Sequence, residues 1–230
     1  MILWMLILHE DLSKEADVVA EALREVYRLD SQIEEIDLTT LFSPVPNLSN
    51  GYFDSGGNLY RELKDLEASV LVLTPKDLYM NTGNVFNPED DWVFGYQLEF
   101  FYVVSTARLR DTDSKPSTEV RVSKELYHNR VKTVALHEIG HNVVKAHHLR
   151  DAFWVNAQNG RKLNLGAHCT DYSCLMYESV DIIAPDPSLG YLEIGGEKRY
   201  DAGLDQLLQR MYPNMLCKPC LKSVDLSEIN

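Results

Sequence analysis

The chain has 230 residues and 45% hydrophobic content, enough to bury one sizeable core or two small ones. Its formal net charge of -13 argues against sequence-independent nucleic-acid binding, which relies on Lys and Arg neutralising phosphates, and against docking on anionic membranes. The acidity reads as a solubility feature.

The first run, Met1 to Leu8, is apolar. No positive residue precedes it, no small-residue cleavage site follows, and it is too short to span a bilayer. It is expected to be a buried first strand, over residues 1 to 9, and the protein is expected in the cytoplasm. Residues 12 to 29 carry Leu12, Ala16, Val19, Ala20, Leu23 and Tyr27 at helical spacing, with Asp11 as the expected cap. Ile33 to Leu38 alternates like a second strand, and Ser43 to Gly57, rich in Pro, Asn, Ser and Gly, reads as loop. A short helix near 58 to 67 leads to Ala68–Leu73, an apolar run suited to a buried parallel strand. Strand, helix, strand, helix, strand makes this half α/β.

Trp92 to Gln97 and Phe101 to Ala107 read as two further strands. A long helix is predicted from about Ser123 to about Arg150, carrying Leu126, Val131, Val134, Ala135, Ile139 and Val143. Beyond Asp151 Gly, Pro and Asp interrupt the pattern repeatedly, and a short helix is expected near 201 to 211. The whole is expected to be one domain, with an N-terminal α/β part over 1–147 and a loop-rich part over 148–230.

The long helix contains His137-Glu138-Ile139-Gly140-His141. A helical turn takes about 3.6 residues, so both imidazoles share one face and can hold a single metal ion. Glu138 sits beside the first ligand, where it can take a proton from metal-bound water, the arrangement of zinc hydrolases. Five of the seven histidines fall between 137 and 168, and this clustering separates the motif from a chance pair. The four cysteines form two close pairs, Cys169 with Cys174 and Cys217 with Cys220. In a reducing compartment such pairs suit a tetrahedral structural zinc, and a metal cross-link would stabilise a region with little apparent core. A redox role for Cys217-Lys218-Pro219-Cys220 is the competing reading, but such pairs sit where a strand meets a helix N-terminus, and neither is evident there.

These residues together resemble the archaemetzincins, zinc-dependent metallopeptidases of the metzincin group. Their pattern is HExxHxxGxxHC, four residues, Cys, one residue, Met, and later CxxC. Here it is matched by His137, Glu138 and His141, then His168-Cys169, Cys174-Leu175-Met176, and Cys217 with Cys220. Upstream, Val72 to Tyr79, Val93-Phe94-Gly95 and Val104 to Leu109 resemble the family's strands, so the likeness runs from about residue 1 to 222. It implies an α/β fold, with a mixed twisted sheet, flanking helices and a smaller zinc-stapled C-terminal part. It implies two zinc ions, one catalytic and one structural. His137 and His141 would be ligands of the catalytic ion and Glu138 the general base and acid. Met176 would be the floor below the metal, and Cys169, Cys174, Cys217 and Cys220 would hold the structural ion. The strand carrying Trp92 to Gln97 would be the edge along which a peptide lies.

The chain departs from the pattern at Val144, where the family has a glycine that turns the chain sharply out of the helix. The third ligand by strict spacing is His147, but on a continuous helix it lies about 15 Å beyond His137. His168 keeps the His-Cys adjacency and follows Leu165-Gly166-Ala167, so it is favoured over His147. Two insertions account for the longer spacing, one over His148 to Gly166 that extends the zinc helix and returns through a loop, another around Ile182 to Asp201. His148 reads as surface, and His9 and His128 as structural. Tyr177 reads mainly as a packing residue.

The leading expectation is a zinc metallopeptidase acting on peptides or unfolded protein segments. The alternative is a zinc-stabilised binding protein on the same scaffold with weakened catalysis, motivated by Val144 and the insertions. A thiol redox protein is a third, minor reading. Oligomeric state and the choice between end-on and internal cleavage are not written in the sequence.

Overall fold

The computed structural model of the protein describes residues 3–8, 11–36, 42–44, 51–54, 61, 63, 68–79, 92–98, 100–146, 149–150, 154–156, 162–164, 167–171, 173–177, 180–181, 192–194, 197–199, 202–203, 214–227 and 229. For 3–8, 42–44, 51–54, 98 and the short strands between 149 and 164 and between 180 and 203, the backbone alone is described.

The apolar N-terminal run forms β1 (Leu3–Leu8), and α1 (Ser13–Tyr27) follows. The six apolar positions predicted at helical spacing, Leu12 through Tyr27, are all buried. Asp11 does not cap the helix: Leu12 occupies the cap without a side-chain bond, and the Ser13 hydroxyl donates to Asp11 Oδ1 at 3.2 Å. The second strand, β2 (Asp30–Glu35), begins three residues earlier than its alternation suggests, because α1 ends at once on Arg28 in the left-handed region (φ 60°). The expected loop over 43–57 holds two short strands, β3 (Phe42–Pro44) and β4 (Gly51–Asp54). The helix expected near 58–67 falls mostly outside the described residues.

β5 (Ser69–Thr74) is buried along its whole length and lies parallel to β1, as its continuous apolar run requires. β6 (Asp77–Tyr79) follows directly. The expected strand over Trp92–Gln97 is two strands in two sheets, β7 (Trp92–Val93) and β8 (Gly95–Leu98). With β9 (Phe101–Ser105) they complete the framework. The main sheet has the order β2-β1-β5-β9-β8, parallel except for β8, which is antiparallel to β9 at the edge. The second sheet runs β3-β4-β6-β7.

Alternation along β5 and β9 divides the core in two. Leu71, Leu73, Tyr102 and Val104 join the cluster with the helices, whereas Val70, Val72, Phe101 and Val103 join Leu63 and Leu78 on the opposite face. The two sheets are tied by Arg108, just after β9. Its Nε and Nη2 donate to Asp77 on β6 at 2.7 and 2.9 Å, and its guanidinium lies 4.4 Å from the Trp92 ring centre on β7.

The zinc-motif helix is α2 (Lys124–Val143), whose cap residue Ser123 accepts a hydrogen bond from the Leu126 amide at 3.2 Å. It ends seven residues short of the predicted Arg150. Val144 is extended (φ -98°, ψ 109°) and pairs with Val224 in an antiparallel bridge. The Lys145 amide donates to Ser223 O at 3.0 Å, and the Asp225 amide donates to Val143 O at 2.8 Å, which closes the helix end.

The insertion over 148–166 therefore does not lengthen the helix. It opens on β10 (Leu149–Arg150), which pairs antiparallel with β13 (His168–Cys169) just beyond it, and within it β11 (Trp154–Asn156) pairs antiparallel with β12 (Lys162–Asn164). Further on, β14 (Val180–Asp181) pairs with β17 (Ala202–Gly203), and β15 (Leu192–Ile194) with β16 (Glu197–Arg199). Residues 202–203 are thus strand, where a helix over 201–211 was expected; the rest of that span lies outside the described residues. The chain closes on α3 (Lys218–Lys222). Among the described residues no helix is long and apolar enough to cross a membrane.

Candidate functional site

Helical spacing puts His137 and His141 on one face of α2, and the β10–β13 pairing returns His168 to them. The ring centres stand 4.9 Å (His137 to His141), 5.4 Å (His137 to His168) and 4.6 Å (His141 to His168) apart. Their candidate ligand nitrogens all lie within 4.8 Å of one another. His137 Nδ1 is 2.6 Å from Leu175 O. A carbonyl can only accept, so the ring proton sits on Nδ1 and the Nε2 lone pair is left for a metal. Burial pushes the His137 ring toward the neutral form, and His141 further, where burial is reinforced by its two imidazole neighbours. Neutral imidazole is the ligand form. Three such rings converging on one point fit a divalent ion such as zinc.

Val144 does not obstruct this arrangement. An extended exit suits a β-branched residue, so no left-handed turn and no glycine are needed there. His147, the alternative third ligand, lies outside the described residues, as do His9 and His148; His128 is half-buried on α2.

Glu138 follows His137 and is 8% exposed. Burial pushes its carboxyl up to about 8, a shift that the positive charge of a nearby metal opposes. Strand β8 passes directly over it. A Cβ at Gly95 would stand 3.0 Å from Glu138 Oε1 and 2.7 Å from Val103 O, so only glycine lets the edge strand come this close.

Beneath the helix lies Met176, fully buried. A Cβ at Gly140 would collide with Met176 Sδ and stand 2.9 Å from the Tyr27 hydroxyl. That hydroxyl donates to Leu136 O at 2.8 Å, pinning α1 to α2. Tyr177 is 6% exposed and pairs through its backbone with Cys169.

The four cysteines come together as a second group, with sulfurs within 4.8 Å of one another. All four are free thiols, and Cys169 Sγ is 3.8 Å from Cys217 Sγ. Thiolates about 2.3 Å from a tetrahedral ion stand about 3.8 Å apart, whereas a disulfide needs about 2.05 Å. Hydrogen bonds from Cys169 and Cys220 pull Cys174 down toward the thiolate, while bonds to Cys169 and Cys174 push Cys220 up. A divalent cation favours the thiolate form of every ligand it binds. Backbone amides of Asp171 and Cys217 donate to Cys169 Sγ and Cys174 Sγ at 3.4 Å each. Contrary to expectation a helix does begin here, with Cys217 at the N-cap of α3, and Cys217 and Cys220 both belong to this four-sulfur group.

The two groups share their scaffold. His168 and Cys169 are adjacent on β13, Leu175 follows Cys174, and the Cys169 amide donates to Met176 O at 2.7 Å. Sequence reasoning did not single out Gly95, Gly140, Tyr27 or the Leu175 carbonyl. A glycine inside a helix, which costs about 1 kcal/mol against Ala, was the available signal for Gly140.

No protein-family model matches the sequence, and no curated protein matches it. Among solved structures, the chain is similar to an archaemetzincin from Archaeoglobus fulgidus, crystallised with malonate. The identity is 19%, the match covers 97% of this chain and 100% of that one, and the TM-score is 0.50. It is similar in the same way to a zinc-dependent peptidase from Methanocorpusculum labreanum, with 16% identity, the same coverage and a TM-score of 0.50. With its mixed sheet, flanking helices, three-histidine group and four-cysteine group, the chain has the archaemetzincin fold.

Proposed function

We propose that the protein is a zinc-dependent metallopeptidase that hydrolyses peptides or unfolded protein segments. The observation that carries this reading is the buried Glu138 carboxyl, next in sequence to His137 and lying under Gly95 of an antiparallel edge strand. A purely structural metal group has no need of a carboxylate held there. His137, His141 and His168 would hold the catalytic zinc, and Cys169, Cys174, Cys217 and Cys220 a structural one. At the first site zinc supplies Lewis acidity, which lowers the pKa of water from 15.7 toward about 7 and polarises a carbonyl.

The protein's own groups do the rest. A substrate in extended form pairs its backbone with β8 and thereby lies across the site. Glu138 accepts the proton of the attacking water and delivers it to the leaving amine. Leu175 O holds the His137 ring by its Nδ1 proton and so keeps Nε2 directed at the site. Four thiols kept as metal ligands suit a reducing compartment, which supports a cytoplasmic location.

The test is Glu138→Gln, assayed against a peptide library with zinc measured alongside. Zinc content should stay at the wild-type level while turnover falls by at least about a hundredfold, the lower range for a lost general base. Turnover at the wild-type rate would remove Glu138 from the mechanism. A wild-type protein that binds peptides without cleaving them would favour the binding-protein alternative.

A further inference from the structure

We propose that Gln97 and Asn142 are a positioning pair that sets the height and tilt of the substrate strand β8 over the zinc helix; this rests on the peptidase reading. Gln97 Nε2 donates to Asn142 Oδ1 at 3.1 Å. The bond joins the edge strand to the zinc helix one residue past His141. The strand to which β8 is paired, β9, packs on the same helix, and its Tyr102 is fully buried.

The placement follows from two periodicities. Gly95 and Gln97 are two apart on a strand and face the same side. Glu138 and Asn142 are four apart on a helix and also share a face. Two strand residues advance about 6.8 Å and four helical residues about 6 Å. The two pairs therefore stay in step: Gly95 meets Glu138, and Gln97 meets Asn142. At Gly95 the strand is already as near the carboxyl as a backbone can come, so the gap at that point is set by contact. The ladder to β9 fixes the register of β8, but one contact with the helix leaves its tilt toward α2 unset. The Gln97–Asn142 bond supplies the second point, and two points fix a line. A peptide paired to β8 inherits that line, so a strand free to tilt offers it a poorer backbone ladder and binds it more weakly.

A bond that merely satisfied two half-buried amides would leave substrate binding untouched. Gln97→Ala, Asn142→Ala and the double variant are to be compared on an extended hexapeptide that the wild-type enzyme cleaves, with zinc content and amide hydrogen exchange recorded for each. Each single variant should raise KM about three- to tenfold, the weight of one hydrogen bond, with kcat held within about twofold. The double variant should be no worse than either single one, zinc should be unchanged, and the β8 amides bonded to β9 should exchange faster. An unchanged KM, independent effects that multiply in the double variant, or a loss confined to zinc content would each overturn the proposal. If the wild-type protein cleaves no peptide, the peptidase reading fails. In that case unchanged exchange along β8 in both variants would separately refute the positioning.

Discussion

Gly140→Ala gives opposite signs for local and tertiary reasoning. Gly140 lies inside α2, where helix propensity alone makes alanine the better residue by about 1 kcal/mol. The packing says otherwise. The added methyl would overlap Met176 Sδ and stand 2.9 Å from the Tyr27 hydroxyl and 3.1 Å from Met176 Cε. Met176 is fully buried and Tyr27 is 1% exposed, so neither has room to withdraw. Overpacking a tight core costs about 1–3 kcal/mol. Displacing the Tyr27 hydroxyl from Leu136 O leaves a buried polar group unsatisfied, another 1–3 kcal/mol or so.

After the propensity gain, the net loss should be about 1–5 kcal/mol, which for a chain of this size lowers Tm by about 2–20 °C. Thermal unfolding at fixed free zinc checks the value, since zinc binding shifts the apparent stability by mass action. The displaced turn also carries Leu175 O, which orients His137. Zinc affinity at the histidine site should therefore fall by about tenfold or more. A Tm equal to or above that of the wild type would refute the packing argument.

Val144→Gly restores the residue that the sequence pattern lacks, yet it should bring no gain. Val144 is extended and 2% exposed; removing its side chain should cost about 2–3 kcal/mol in urea unfolding with zinc content unchanged, and tighter zinc binding would contradict the extended exit. Cys217→Ser should release the zinc of the cysteine group and weaken the histidine group as well, because β13 and the Leu175 turn serve both. Chelator competition should show the histidine-site zinc leaving about tenfold more readily, the size of effect expected when the groups that hold a ligand in place are lost; wild-type retention would mean that the sites are independent.

What could be read from the sequence divides by the range of the cause. β1, α1, β5 and β9 announce themselves through runs of apolar residues at strand or helix period, and those of β5 and β9 and the six spaced positions Leu12 to Tyr27 are buried. His137 and His141 share a face by helical geometry, with Glu138 beside them, and the adjacency of His168 and Cys169 reflects one short strand that serves both candidate metal groups. The end of α2 was missed because Val143, Val144 and Ala146 continue an apolar pattern, while the partner that pulls Val144 into an extended path is Val224, eighty residues away. The strands at 149–150, 154–156 and 162–164 are too short to show any periodicity. The split at Phe94 depends on which of two sheets each half joins, and that is a tertiary choice. The contacts of Gly95 and Gly140 are close approaches that a letter in a sequence cannot locate.

The zinc content of the protein purified without added metal, set beside that of His168→Ala, tests the central claim most directly. Two zinc ions per chain in the wild type and one in the variant, retained by the four cysteines, is the expected result. A single zinc in the wild type would mean that the three histidines do not form a metal site. Two zincs in His168→Ala would mean that another residue completes it.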